Sequence, residues 1–216
     1  MKTLTYTKRN LRFSKGLENL GYQAVVIGSS TGGMDALKII LEVLPKNFSV
    51  PILVVQHTSS HSDNYLAKFL DNACKVSVKE AEEKEKAIAG HVYIAPPNYH
   101  LLVEKDGSIS LSVEARVSYA RPSIDVLFES AAEAYNKGLI GLVLTGANND
   151  GSKGLKRIKE CCGLTIVQDP ITAQADTMPR AALRATKVDH IVSLEQIGPF
   201  LNKIIQEKSG DRRGNK

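Results

Sequence analysis

The sequence predicts an α/β domain: a doubly wound, mostly parallel, Rossmann-like sheet with helices on both faces and one small antiparallel hairpin. Short apolar runs alternate with segments of helical period through most of the 216 residues. Those runs are apolar nearly throughout, as strands covered on both faces are, rather than alternating as half-exposed strands do. The first of them ends in Gly28-Ser29-Ser30-Thr31-Gly32-Gly33, a glycine-rich loop that opens a helical segment.

The elements follow in order. QAVVIG at 23–28 is the first strand, and MDALKIILEVL at 34–44 has apolar residues at helical spacing. PILVVQ at 51–56 is a second strand, followed by an amphipathic helix at 62–73. KVSVKEA at 75–81 and HVYIAP at 91–96 are further strands. HLLVEK at 100–105 and SISLSV at 108–113 flank Asp106-Gly107, the tight-turn dipeptide, and form the hairpin. A helix at 123–136, the strand GLIGLVLT at 138–145, a helix at 151–162 and the strand LTIVQD at 164–169 continue the alternation. MPRAALRATK at 178–187, a short strand at 189–194 and a helix at 194–208, interrupted by Pro199, complete it. One domain over residues 21–206 is expected, with a basic arm at 1–20 and a flexible tail at 207–216.

Charge narrows the function classes. The chain carries 28 basic and 23 acidic residues, a net +5. Lys2, Lys8, Arg9, Arg12 and Lys15 account for that excess, since residues 1–16 hold no acid. The body is neutral, so no basic surface for nucleic acid is expected on it. No apolar run approaches a membrane span and no signal-peptide pattern opens the chain, so a cytoplasmic protein without membrane insertion is expected. Cys74, Cys161 and Cys162 have no disulfide or metal-ligand spacing and read as reduced thiols. No metal or cofactor is called for.

In an open parallel sheet, ligands bind beyond the carboxyl ends of the strands. Three chemistry-bearing residues fall there: Ser30 after the first strand, His57 after the second, and Asp150 in the Gly146-Ala147-Asn148-Asn149-Asp150-Gly151 segment after the GLIGLVLT strand. Gly28-x-Ser30-x-Gly32 fits a nucleophile turn, and equally a phosphate cradle at a helix N-terminus. A dinucleotide site needs an acid at the end of the second strand to hold the ribose; Gln56-His57 stands there instead and favours the nucleophile. Blander readings exist for each residue. Ser29, Ser30 or Thr31 could cap the following helix, Asp150 could cap the helix at 151–162, and His57, His61, His91, His100 and His190 could be surface turn residues.

These residues resemble the catalytic domain of the CheB protein-glutamate methylesterases. The likeness runs over residues 23–205 through VVIGSSTGG, VVQH, VYIAPPNYHLLV, RPSIDVLFESAA, LTGANNDG and QDPITAQADTMPRAAL. It implies a serine hydrolase acting on γ-glutamyl methyl esters of chemoreceptor helices and releasing methanol, with Ser30 as nucleophile, His57 as base and Asp150 orienting the imidazole. Glutamine deamidation at the same sites ranks second. It also implies an oxyanion and substrate region around Thr31 and Ala147, and Arg121 orienting acidic side chains of the receptor helix. An alternative for Arg121 is a surface arginine ahead of a helix capped by Ser123.

Departures from the family pattern are visible. The stretch before the first strand is too short for the usual receiver domain, so a separate receiver protein is the expected regulator, if there is one. Ala147 stands in place of the usual methionine, and Asn148 in place of glycine, where asparagine is the least costly substitute if a positive φ is required. Thr58-Ser59 replaces the usual Met-Pro. A small-molecule serine esterase and a helix-binding signalling module without catalysis are the alternative functions.

Overall fold

The structure, a computed structural model, describes residues 21–57 and 65–210. The basic arm, residues 58–64 with Thr58, Ser59 and His61, and the last six residues lie outside that description. Among the described residues nine strands and six α-helices follow one another as expected: β1 (Ala24–Ser29), α1 (Gly33–Leu41), β2 (Ile52–Gln56), α2 (Tyr65–Ala73), β3 (Ser77–Glu80), β4 (His91–Ile94), β5 (His100–Val103), β6 (Ile109–Ser112), α3 (Ile124–Tyr135), β7 (Leu139–Val143), α4 (Ser152–Glu160), β8 (Leu164–Gln168), α5 (Thr177–Ala185), β9 (His190–Val192) and α6 (Leu194–Gly210).

Seven strands form one sheet in the order β3-β4-β2-β1-β7-β8-β9, all parallel, while β5 and β6 pair antiparallel as a separate hairpin. Side chains of the central strands β2, β1, β7 and β8 divide between two buried layers, which is why these strands are largely apolar. Val25, Ile27, Ile52, Val54, Ile140 and Leu142 face a core shared with α1, α2 and α6. Ala24, Val26, Leu53, Val55, Leu139 and Val143 face a core built with α3, α4, α5 and the hairpin. The exposed edges are short, with β3 of four residues and β9 of three, which limits edge-to-edge pairing.

Strand order sets the position of the site. β1 lies at the centre, with β2 on one side and β7 on the other. The connections from β1 and from β7 leave toward opposite edges, so a crevice opens beyond their carboxyl ends. Pairings of Ser29 with Gln56 and of Gly28 with Val143 bring the three following loops to one level.

Pro199 does not interrupt the last helix. It sits inside α6, where it frees the Glu195 carbonyl one turn earlier. Both residues are exposed, so water can serve that carbonyl. The three cysteines are unpaired.

Gly154 shows how closely two helices approach on one face. A Cβ built there would lie 2.5 Å from Phe128 Cβ and 3.1 Å from the Asp125 backbone of α3. In an open helix, Gly→Ala stabilises by about 1 kcal/mol. Here, overpacking reverses the sign, and Gly154→Ala is expected to lower the unfolding free energy by about 1–3 kcal/mol in a denaturant titration.

Candidate active site

Ser29 and Ser30 are adjacent but have opposite fates. Ser29 closes β1 fully buried, and its hydroxyl donates to Gln56 Oε1 at 2.6 Å. Ser30 is the first residue past the strand and is partly exposed. Its N–H donates to Thr145 O at 3.0 Å, and its carbonyl accepts from Gln56 Nε2 at 2.9 Å and from Gly33 N–H at 2.8 Å. Both backbone groups of Ser30 are thus anchored while its hydroxyl is uncommitted among the described residues. Gly32 supplies the left-handed turn (φ 76°) that starts α1, and no side chain caps that helix. The capping role open to Ser29, Ser30 and Thr31 is therefore not taken.

Gln56 ties the Ser30 loop to the His57 loop. Besides holding Ser29 and Ser30, its Nε2 donates to His57 O at 2.9 Å, and His57 N–H donates to Ser29 O at 3.0 Å. Thr145 locks the third loop in the same way. Its hydroxyl donates to Thr31 O at 2.8 Å and accepts from Ala175 N–H at 2.9 Å. Gly146 lies so close to its neighbours that a Cβ there would meet Met178 Sδ at 1.9 Å and Ser30 Cβ at 2.9 Å.

His57 Nε2 donates to Asp150 Oδ2 at 2.8 Å; the imidazole is 13 % exposed and the carboxylate 1 %. Asp150 does not cap α4, whose cap is Gly151; it caps α3 across space. Ile124 N–H donates to its Oδ2 at 2.7 Å, and Asp125 N–H to its Oδ1 at 3.0 Å. Ser123 Oγ and Gly151 N–H also donate to Oδ1, at 2.9 and 3.0 Å. A carboxylate at a helix N-terminus meets unpaired N–H groups and the positive end of the dipole. Burial pushes the Asp150 carboxyl up, but the bonds from His57, Asp125 N–H and Ile124 N–H outweigh it and hold the group below its ordinary value. Asp150 is therefore the charged partner of His57.

A further layer supports this contact. His100 is not a surface residue. It is 1 % exposed, its Nδ1 accepts from Ser123 N–H at 3.2 Å, and its Nε2 donates to Ala115 O at 3.1 Å. Ile124 fills the space above Gly28 and Gly151, where added Cβ atoms would lie 2.3 and 2.7 Å from its Cγ2. Sequence patterning does not single out Gln56, Ser123, Thr145 or His100 as parts of the site. Each has a partner in the site 23 or more residues away, and only the signal of polar residues flanking apolar strands touches some of them.

The remaining candidates sit at the rim. Thr31 and Ala147 are exposed, and the N–H groups of Thr31, Gly32 and Ala147 find no protein acceptor among the described residues. Arg121 is not brought against the triad. Its Nη1 donates to Val113 O at 2.6 Å and Glu114 O at 2.9 Å, closing the loop before α3. The φ of Asn148 is not positive, so asparagine is not there for its backbone. Its side chain joins the site instead: Oδ1 accepts from Asp150 N–H at 2.9 Å, and Nδ2 is 3.0 Å from His57 Nδ1. Among the described residues, no group of three His, Cys, Asp or Glu side chains converges as a metal site would require, and no helix is long and apolar enough to cross a membrane.

Asp125, beside Asp150, carries a testable consequence. Burial pushes its carboxyl up to about 6; the Gly154 N–H bond opposes this, and the negative Asp150 and Glu129 reinforce it. An acid harder to ionise in the folded state than in the unfolded chain leaves stability untouched below both values. It then lowers stability progressively between about pH 4 and 6, and by a constant amount above that, on the order of 2–3 kcal/mol. Asp125→Asn retains an acceptor for Gly154 N–H. It is expected to unfold at higher denaturant than the parent at pH 7.5, with the difference gone at pH 4.

The chain is similar to known proteins over most of its length. Residues 25–201 match the family of CheB methylesterases. A Leptospira interrogans protein named as a protein-glutamate methylesterase/protein-glutamine glutaminase is 51 % identical over 193 residues, covering 89 % of this chain and 100 % of that protein. A Geobacter metallireducens protein-glutamate methylesterase/protein-glutamine glutaminase is 36 % identical over 85 % of this chain and 52 % of its own length. The crystal structure of the Thermotoga maritima CheB methylesterase catalytic domain superposes with a TM-score of 0.82 at 36 % identity, over 86 % of this chain and 100 % of that one.

Proposed function

From the premise that the chain belongs to the CheB methylesterase family and is a hydrolase, we propose that it demethylates γ-glutamyl methyl esters on the cytoplasmic helices of chemoreceptors. The observation that carries this reading is the His57–Asp150 pair, set at the same sheet edge as a serine whose hydroxyl is uncommitted among the described residues.

His57 Nδ1 takes the proton of Ser30 Oγ as the oxygen attacks the ester carbonyl carbon, and Nε2–H stays on Asp150. Asp150 thereby holds the ring orientation and balances the imidazolium. The N–H groups of Thr31 and Gly32, at the positive end of α1, and of Ala147 are the donors for the oxyanion. Such donors contribute about 3–4 kcal/mol each in other hydrolases. As the tetrahedral intermediate collapses, the C–O bond to the methoxy group breaks. The Nδ1 proton passes to that oxygen, and methanol leaves. Water then attacks the acyl-Ser30 carbonyl, giving a proton to Nδ1. Cleavage of the acyl–Oγ bond returns the proton to Ser30 and leaves a glutamate. No step needs a metal or an organic cofactor.

Thr31, Ala147 and Gln174 are exposed beside Ser30 and Gly32, which supports access for a side chain presented by a helix. Arg121 ties the 113–121 loop together through Val113 O and Glu114 O. Deamidation of glutamine by the same groups is a second reading, supported by the names of the relatives; there the leaving group is ammonia.

Methanol release from a methylated receptor cytoplasmic fragment tests the proposal. The parent and Ser29→Ala are expected to release methanol at rates within about tenfold of each other, while Ser30→Ala falls by about 10³ or more. Release by Ser30→Ala, or none from the folded parent, overturns the reading.

A further inference from the structure

Asn148 bridges two members of the site, and the chemistry of its amide fixes which way round it sits. A backbone N–H can only donate, so the end of the amide facing Asp150 N–H must be Oδ1. The NH₂ end must then face His57 Nδ1. Because an NH₂ group also only donates, Nδ1 must carry its bare lone pair while Nε2 carries the ring proton toward Asp150. A neutral imidazole has one ring lone pair. Here it is occupied, and no hydrogen bond joins Ser30 Oγ to His57.

Resting on the hydrolase reading above, we propose that Asn148 is a positioning residue that holds His57 in the tautomer able to act as base while occupying the lone pair that Ser30 must use. Each turnover then opens with an exchange at Nδ1, the Asn148 NH₂ leaving and the Ser30 hydroxyl arriving. Once the Ser30 proton has moved, Nδ1–H would face the hydrogens of the Asn148 amide, so the amide has to stay displaced until the proton passes to the leaving group. The surroundings permit that movement. Asn148 is half-buried between exposed Ala147 and Asn149, and its freed NH₂ can turn to water. Its backbone φ is one that any residue adopts, so replacing the side chain does not strain the turn.

The alternative is a purely structural role, in which Asn148 matters only as the acceptor for Asp150 N–H. The two roles predict opposite orders of activity. The second-order rate of Ser30 labelling by a fluorophosphonate reads the nucleophile without a receptor substrate; it is measured on the full chain, with Ser30→Ala as blank. Removing the amide in Asn148→Ala frees Nδ1, and labelling is expected to accelerate about three- to tenfold, the size of one neutral hydrogen bond exchanged. Asn148→Ser, which can still accept from Asp150 N–H, is expected to accelerate as well and serves if the alanine variant folds poorly. Asn148→Asp places a carboxylate oxygen at Nδ1 and draws the ring proton onto it, so labelling is expected to slow tenfold or more. A structural role requires the reverse, with aspartate near the parent and alanine slower. That order, or an alanine or serine variant no faster than a well-labelled parent, overturns the proposal and leaves the hydrolase reading intact. No labelling of the folded parent overturns both.

Discussion

The buried carboxylate of Asp150 receives hydrogen bonds from five donors: the His57 ring, the Ser123 hydroxyl and the N–H groups of Ile124, Asp125 and Gly151. The contact joins three separate parts of the fold. It fixes the N-terminus of α3 to the loop leaving β7 and presents one oxygen to the loop leaving β2. A buried charge is tolerated only when donors surround it, so the contact requires α3, β7 and β2 in register. The geometry that orients His57 is therefore also part of what holds α3 on the sheet.

Packing enforces the same arrangement from below. Ile124, whose N–H reaches Asp150, rests on Gly28 and Gly151, where no Cβ fits without a shift. The hydrophobic layer of Leu127, Phe128, Ala131 and Ala132 continues that contact along α3 into the sheet. On the nucleophile side, Gln56 and Thr145 join the three loops through amide and hydroxyl groups rather than through apolar surface. Directional bonds of this kind hold a catalytic group more narrowly than side-chain packing alone. Ser30 is consequently fixed by its backbone and left free at its oxygen, the combination a nucleophile needs.

Much of this is legible in the sequence because its signals are local. Apolar runs bounded by turn residues mark the central strands of the sheet, and the Asp106-Gly107 dipeptide marks the hairpin. The rule that ligands gather at strand ends is enough to group Ser30, His57 and Asp150 from their sequence positions. The Gly28-x-Ser30-x-Gly32 spacing and the family resemblance both favour Ser30 over Ser29, and in the structure the Ser29 hydroxyl is buried on Gln56. The features that sequence patterning misses depend on distant partners. His100 resembles a turn histidine until its place under Ser123 is known. Asp150 resembles a cap for the helix that follows it, whereas it caps the one before it. Pro199 looks like a break because the sequence does not show that the freed carbonyl faces water. Asn148 suggests a backbone explanation, yet it is its side chain that contacts His57 and Asp150.

The central claim is that Ser30, His57 and Asp150 work as one unit assembled by the α3 N-terminus. A double-mutant cycle between His57→Gln and Asp150→Asn, read as methanol release from a methylated receptor fragment, tests it most directly. In the chemical step Asp150 acts only through His57 in this account, so, compared as folded protein, the double variant should be no slower than His57→Gln alone. Losses that multiply would mean that the two residues act independently, and would contradict it.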